Sequence, residues 1–243
     1  MSREAHFTAI ILKKQPFGEG DEIITFFTKE QGKIRCLAKA VKMPKSKLQQ
    51  KLQALFLVEL RVAGGLKFPK VVGAEPVKVF PRIRENLDAM KIAFYATELI
   101  LKFTADEQKN QPLFNLLLEF LEFLNAAKQQ TILPLGLAKF KIGVLEASGF
   151  GLQHQEALAP GEKVFYSPRK GGFFTKKYAD SRILPVESYR DFLKIKSTPF
   201  ENLAPADNLK DQESLQTALS QFIEYHLERK IKSEKYLNLE NVI

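Results

Sequence analysis

The amino-acid sequence predicts an α+β protein, an N-terminal five-stranded β-barrel followed by an α-helical domain, and three observations carry that prediction. Residues 1–80 break into short apolar runs separated by glycine and proline, the pattern of strands and turns. From Pro81 onward the apolar period lengthens from two to between three and four, the pattern of helices. Charge divides at the same place: residues 1–80 hold 15 Lys/Arg against 7 Asp/Glu, and residues 81–243 hold 22 against 21. Nearly all of the formal +9 therefore belongs to the first third, which argues for a dedicated basic domain with a polyanionic partner.

The strands are read in order. His6–Lys14 is an apolar run ending in charge, and Gln15–Gly20 supplies the turn. Asp21–Lys29 is the second strand, and Glu30-Gln31-Gly32 forms a hairpin turn. Lys33–Ala40 is the third, with Ile34 and Cys36 inward and Arg35 outward. Ala54–Val62 is the fourth strand, Gly64-Gly65 a turn, and Phe68–Ala74 the fifth. Five short strands with glycine turns fit the OB-fold, the commonest small barrel of that size.

Beyond Pro81, Leu87, Met90, Ala93, Phe94, Thr97 and Leu101 recur at helical spacing, as do apolar residues in Leu113–Ala127 and Leu135–Ala147. Pro112 and Pro134 stand near helix starts, where a missing N–H costs nothing. Gly149-Phe150-Gly151 reads as a helix stop rather than a phosphate loop. Residues 152–184, with Pro160-Gly161, Pro168 and Gly171-Gly172, are expected to run irregularly. Asp211–Lys230 is a final helix with Leu215, Leu219, Phe222, Ile223 and Leu227 on its apolar face. The expected domains are thus 1–80, nucleic-acid-binding, and 81–243, helical with an excursion at about 152–184.

Enzyme signatures are missing. There is no Walker-type glycine loop, GxSxG elbow or HExxH, and His6, His154 and His226 are scattered over three regions. No catalytic residue, cofactor or metal is expected. Cys36 stands alone, so no intrachain disulfide can form, and a reducing cytoplasm fits. The first residues lack a signal-peptide pattern, and the greasiest stretch, Leu113–Leu124, is broken by Glu119 and Glu122 and is too short to span a bilayer. A soluble, cytoplasmic protein is expected.

The informative stretch is Gln31–Val58, which has no acidic residue. Lys33, Arg35, Lys39, Lys42, Lys45, Lys47 and Lys51 all fall within it. Lys33, Arg35 and Lys39 alternate with apolar positions and share one strand face. Val41–Lys51 extends the charge into a flexible connection. A fixed basic face with mobile lysines suits a phosphate backbone, whereas solvated faces usually mix both signs. Phe7, Phe17, Phe26, Phe27, Phe56 and Phe68 are available for stacking, with one or two at most expected to be exposed.

Residues Phe7–Leu60 together resemble the N-terminal half of the RecO family. The resemblance lies in Gly18-Glu19-Gly20-Asp21, Thr28, Gly32-Lys33, Ala38-Lys39 and Lys45-Ser46-Lys47-Leu48, in that order and spacing. Pro134–Phe150, Gly171-Gly172 and Arg229–Leu237 resemble later parts of the same family. The resemblance implies a recombination mediator without catalytic chemistry that binds single- and double-stranded DNA and anneals complementary strands. It would contact RecR and the acidic tail of single-stranded-DNA-binding protein, and help load RecA. The resemblance also places a basic residue at Lys139. Because an acidic tail ending in an apolar residue needs a hydrophobic groove with a cation at its rim, the candidate tail site is Lys139, Phe140 and Lys141, beside Leu137 and Val144 on one helix. Many members carry a zinc ribbon of two CxxC pairs; this chain has Gln155 and Leu158, then Thr175 and Tyr178, in those places, which cannot hold tetrahedral zinc. Two other readings of the residues stay open: an OB-type RNA-binding module, since charge does not separate DNA from RNA, and an interaction scaffold worked by the helical body.

Overall fold

A computed structural model describes residues 4–44, 46–64, 69–204 and 209–237. Strands β1 (Glu4–Phe17), β2 (Asp21–Thr28), β3 (Gly32–Ala38), β4 (Leu57–Ala63) and β5 (Lys70–Lys78) form a closed barrel in the order β1-β2-β3-β5-β4. A short helix, α1 (Lys47–Lys51), stands where a flexible connection was expected. The barrel closes through a parallel contact in which Leu37 faces Lys70.

Sequence alternation decides which residues enter the barrel. Ile24, Phe26, Ile34, Cys36 and Ala38 point inward and join Ala9, Ile11, Val58, Leu60 and Val62 in one core. The run Ala9–Leu12 is continuously apolar because β1 is buried on both faces: Ala9 and Ile11 face the interior, Ile10 and Leu12 the helices. Ile10, Leu12, Phe27, Leu55 and Leu57 belong to the same apolar cluster as the helical body, so barrel and body are packed against each other directly.

The body begins with α2 (Pro81–Glu85) and α3 (Leu87–Phe103), followed by α4 (Gln111–Ala126) and α5 (Leu133–Ala147). The Asn86 side chain accepts hydrogen bonds from the N–H groups of Asp88 and Ala89, and Asn110 accepts from Leu113, capping α3 and α4. Pro112 and Pro134 lie in the first turns of α4 and α5, and Gly149 (φ +83°) ends α5 with the Phe150 N–H on the Leu145 carbonyl. Helix α5 is apolar around most of its circumference and is the central element of the body. At Gly136 a Cβ would meet the Phe123 ring at 2.0 Å, so glycine there lets α4 and α5 approach closely.

Residues 152–184 are more regular than their sequence predicts. Strands β6 (Val164–Ser167), β7 (Gly172–Phe174) and β8 (Arg182–Leu184) form an antiparallel sheet ordered β7-β6-β8. The sheet leans on α6 (Val186–Ser197) and α7 (Leu209–Leu227): Phe173 meets the rings of Tyr189, Phe192 and Phe222 at 4.6–5.5 Å. Strand pairing here depends on these distant aromatics rather than on a local alternating pattern. No helix among the described residues is long and apolar enough to cross a membrane.

Candidate nucleic-acid interface

The basic strand β3 has two different ends. At its start, the β2–β3 hairpin lies against the α3–α4 connection. The Lys33 ammonium, 13% exposed, donates to the carbonyls of Leu101 (2.9 Å) and Thr104 (2.6 Å) at the end of α3, with Asp106 at 3.4 Å. A cation is favourable there because unpaired carbonyls and the helix dipole concentrate negative potential at a helix C-terminus. Gly32 (φ +76°) is part of the same contact: a Cβ would stand 1.9 Å from the Gln108 carbonyl oxygen. Lys33, expected among the DNA contacts, is thus turned into the seam between barrel and body. The sequence alternation put it on the outer face correctly, but that face is covered at this end.

Arg35 is intermediate. It pairs with Asp106 at 3.0 Å while keeping 57% of its side chain exposed. It borders a small cleft of about 130 Å³ with Phe7, Val62 and Pro69.

At its far end β3 opens to solvent. The β1–β2 turn is tied to the segment after β3: the Ala40 N–H donates to the Asp21 carboxylate (2.7 Å), and the Lys42 N–H to the Gly20 carbonyl (3.0 Å). From the other side the Leu37 N–H donates to the Pro69 carbonyl at 2.9 Å, bringing Lys70 alongside. Lys39, Lys42 and Lys47 are exposed here and form no ion pair with any described residue. Lys51 pairs with Glu75, and Lys45 lies outside the described residues.

Of the six candidate stacking rings, Phe17 stands out at 52% exposure, at the end of β1 beside this turn. Met43 is exposed in the neighbouring turn. Phe26 and Phe27 are fully buried, and Phe68 is outside the described residues. Sequence reasoning missed Lys70, which lies outside the acid-free stretch and comes to this end through pairing with β3; Lys13, also outside that stretch, is exposed on β1 opposite Thr25, level with Arg35. In OB-folds the β2–β3 face and the β1–β2 and β4–β5 connections are the usual oligonucleotide surface.

The expected tail site does not have the expected form. Phe140 is fully buried and stacks on Phe120 at 4.4 Å between ring centres. Lys141, 1% exposed, lies inside the body: its ammonium donates to the Ser220 hydroxyl (2.7 Å), stands 3.7 Å from Glu234 and covers the Tyr95 ring. Burial lowers its pKa to about 8, against the attraction of Glu234. Neither residue is available to a peptide, because α5 is the central helix and has no wet side at Phe140 and Lys141.

Lys139 is half-buried. It donates to the Ile195 and Lys196 carbonyls at the end of α6 and covers the Phe200 ring. An apolar cavity of about 420 Å³, lined by Phe123, Ile132, Phe200 and Leu203, includes that ring, but Glu119, Glu122 and Glu201 stand at its edge. Burial lowers the Lys139 pKa while Glu146, Glu119 and Glu201 raise it. Among the described residues Lys128 is the one cation lining this cavity, against three carboxylates, so the basic rim expected around Lys139 is not formed there.

At residues 155–178, where the resemblance would place a zinc ribbon, other contacts hold the chain. The Gln155 N–H donates to the Tyr189 hydroxyl, which in turn donates to the Gln155 carbonyl. Leu158 packs on the body core, and Tyr178 stacks edge-on against Phe174. These side chains do not fit a metal.

Comparison with known proteins agrees with this architecture. Residues 1–80 match the family model described as recombination protein O N terminal, and residues 84–235 match recombination protein O C terminal. A DNA repair protein RecO of Dehalococcoides mccartyi (strain CBDB1) is 30% identical over 239 residues, covering 95% of this chain and 93% of its own length. Those of Synechococcus sp. (strain JA-2-3B'a(2-13)), 31% identical, and Desulforamulus reducens, 28% identical, cover 97% and 95% of this chain and 89% and 92% of their own.

Proposed function

Because the chain belongs to the recombination protein O family of DNA repair proteins, we propose that it is a recombination mediator that binds single- and double-stranded DNA through the open end of its barrel, anneals complementary strands, and acts with RecR to help load RecA. The carrying observation is the group of exposed cations Lys39, Lys42 and Lys47, beside exposed Phe17 and Met43, with Arg35 at the neighbouring cleft. Lysines without carboxylate partners can each displace a condensed counterion from a phosphate backbone, which is the main source of nucleic-acid affinity. Phe17 offers one ring face for a base, worth about 1–3 kcal/mol where such stacking occurs.

Annealing needs no covalent step. Neutralising two backbones removes the repulsion between strands, and base pairing supplies the rest. RecR, RecA and the tail of single-stranded-DNA-binding protein are proposed as partners on the family resemblance alone.

The test is a salt titration of oligonucleotide binding with Arg35→Ala/Lys39→Ala. Affinity should fall about equally for all sequences, and the slope of log affinity against log salt should lessen by roughly one to two units. An unchanged slope in a folded variant would exclude this surface. Competition with structured RNA separates the DNA reading from an RNA-binding one: tighter RNA binding at equal salt would favour the latter.

A further inference from the structure

The near-zero charge of the body conceals a second basic region. Residues 163–182 contain Lys163, Arg169, Lys170, Lys176, Lys177 and Arg182 against a single acid, Asp180, whereas the rest of residues 81–243 holds 16 Lys/Arg and 20 Asp/Glu. All six cations are exposed, and none forms an ion pair with a described residue.

The sheet β6–β8 brings three of them, Arg169, Lys170 and Lys176, to one place. Lys170, in the β6–β7 turn, and Lys176, in the β7–β8 connection, both stand over the Tyr178 ring, at 5.3 and 5.9 Å. The Ser167 hydroxyl donates to Asp180 at 2.6 Å, and this bond holds the Asp180 carboxyl below its usual range, helped by Arg169 and Lys170. Asp180 thus fastens the two connections together, and a single carboxylate cannot balance six cations. The framework beneath is rigid: Val164, Phe165, Tyr166 and Phe173 are buried, and Tyr166 donates to Gln221 of α7.

We infer that the connections of this sheet, carrying Arg169, Lys170 and Lys176, form a second surface for the phosphate backbone of single-stranded nucleic acid, separate from the barrel. It rests on the nucleic-acid reading above and extends it to a new site. The barrel leans on α3, this sheet on α6 and α7, and α5 packs between these layers, so the two basic surfaces lie on different sides of the body. Lysines covering both connections at Tyr178 leave phosphate contact rather than base stacking as the mode of binding, and sequence-independent binding follows. Two separated surfaces let one chain hold two strands, or one strand at two points.

The test is fluorescence anisotropy of a labelled oligo(dT) against four folded forms: the wild type, Lys39→Gln/Lys42→Gln, Arg169→Gln/Lys170→Gln/Lys176→Gln, and the combined variant. The triple variant should lose roughly tenfold in affinity at low salt and about two units of salt slope, on top of the barrel variant's loss. Lys170→Arg/Lys176→Arg should bind as the wild type does, which guards against a loss through misfolding. If the triple substitution changes nothing in either background while the barrel variant weakens binding, the second site is wrong and the function stands. If the wild type does not bind oligo(dT), the function reading and this one fall together. If the triple variant loses an acidic peptide probe, poly-glutamate, and keeps oligo(dT), the surface belongs to a protein partner and this assignment is overturned.

Discussion

Residues 31–58 and residues 163–182 are both rich in cations, yet they spend them differently. In the first region Lys33 is consumed by the end of α3, Arg35 is shared with Asp106 and Lys51 is paired with Glu75, leaving Lys39, Lys42 and Lys47 among the described residues. In the second, none of the six is paired with a described carboxylate. The region that looks most basic along the chain has given part of its charge to holding barrel and body together. The region hidden inside a nearly neutral domain keeps all of its own. Charge counted along a segment is thus a poor measure of charge available to a ligand, because pairing is decided by what packs against it.

The largest way to break this comparison is at the seam. Gly32→Val combines a left-handed backbone with a Cβ that collides with backbone, so it should destabilise the protein by about 3–5 kcal/mol in denaturant unfolding. Gly171→Ala, with a φ of +72° but open space around it, should cost only about 1–2 kcal/mol. Similar losses at both positions would show that the barrel is not pressed against the α3–α4 connection.

The next effect is on pH dependence. The folded pKa of Lys141, about 8, lies below the unfolded value of 10.5, so the unfolded chain binds more protons between those values. Stability should therefore rise with pH from about 8 to 10.5, by roughly 2–4 kcal/mol from this group. Lys141→Met should remove that rise. A rise that persists in the variant would assign it to another group.

Lys33→Met should be smaller, about 1–3 kcal/mol, from the carbonyls left without a donor at the seam, with oligonucleotide affinity within about twofold of the wild type. Lys170→Met should do the reverse, changing stability by less than about 0.5 kcal/mol while weakening binding. Equal loss of DNA affinity at both positions would restore Lys33 to the interface. Least in magnitude, the buried Cys36 thiol is pushed up to about 12 by burial, so a disulfide reagent at neutral pH should label it only as fast as the protein unfolds. Rapid labelling under native conditions would mean that the barrel core opens readily.

The barrel strands and the long helices were legible because each carries its own periodicity. Ile34, Cys36 and Ala38 alternate inward as their spacing demands, and Leu215, Leu219, Phe222 and Ile223 line α7 as expected. Helix starts at Pro112 and Pro134 and the stop at Gly149 were equally local signals. The sheet β6–β8 was not, since strands of three or four residues are too short to show a period and are held by Phe192 and Phe222 from elsewhere in the chain. Helix α6 was unread as well; its few buried side chains acquire meaning only against α5 and α7.

For the interface, the sequence by itself determined which residues are cationic, that the barrel's strands alternate, and that Phe17 stands among the candidate rings. Only the tertiary structure decided which of these charges are free. Lys33 and Lys39 occupy the same alternation, but a helix C-terminus covers one and water covers the other. Lys139 and Lys141 sit two residues apart on one helix; the first is turned to carbonyls at the end of α6 within the field of Glu146, Glu119 and Glu201, the second sealed inside the body beside Glu234. The physical reason is common to both pairs. A residue's type and period follow from the local chain, whereas its electrostatic partners come from elements distant in sequence, such as Asp106, Glu201 and Glu234, that meet it only on folding.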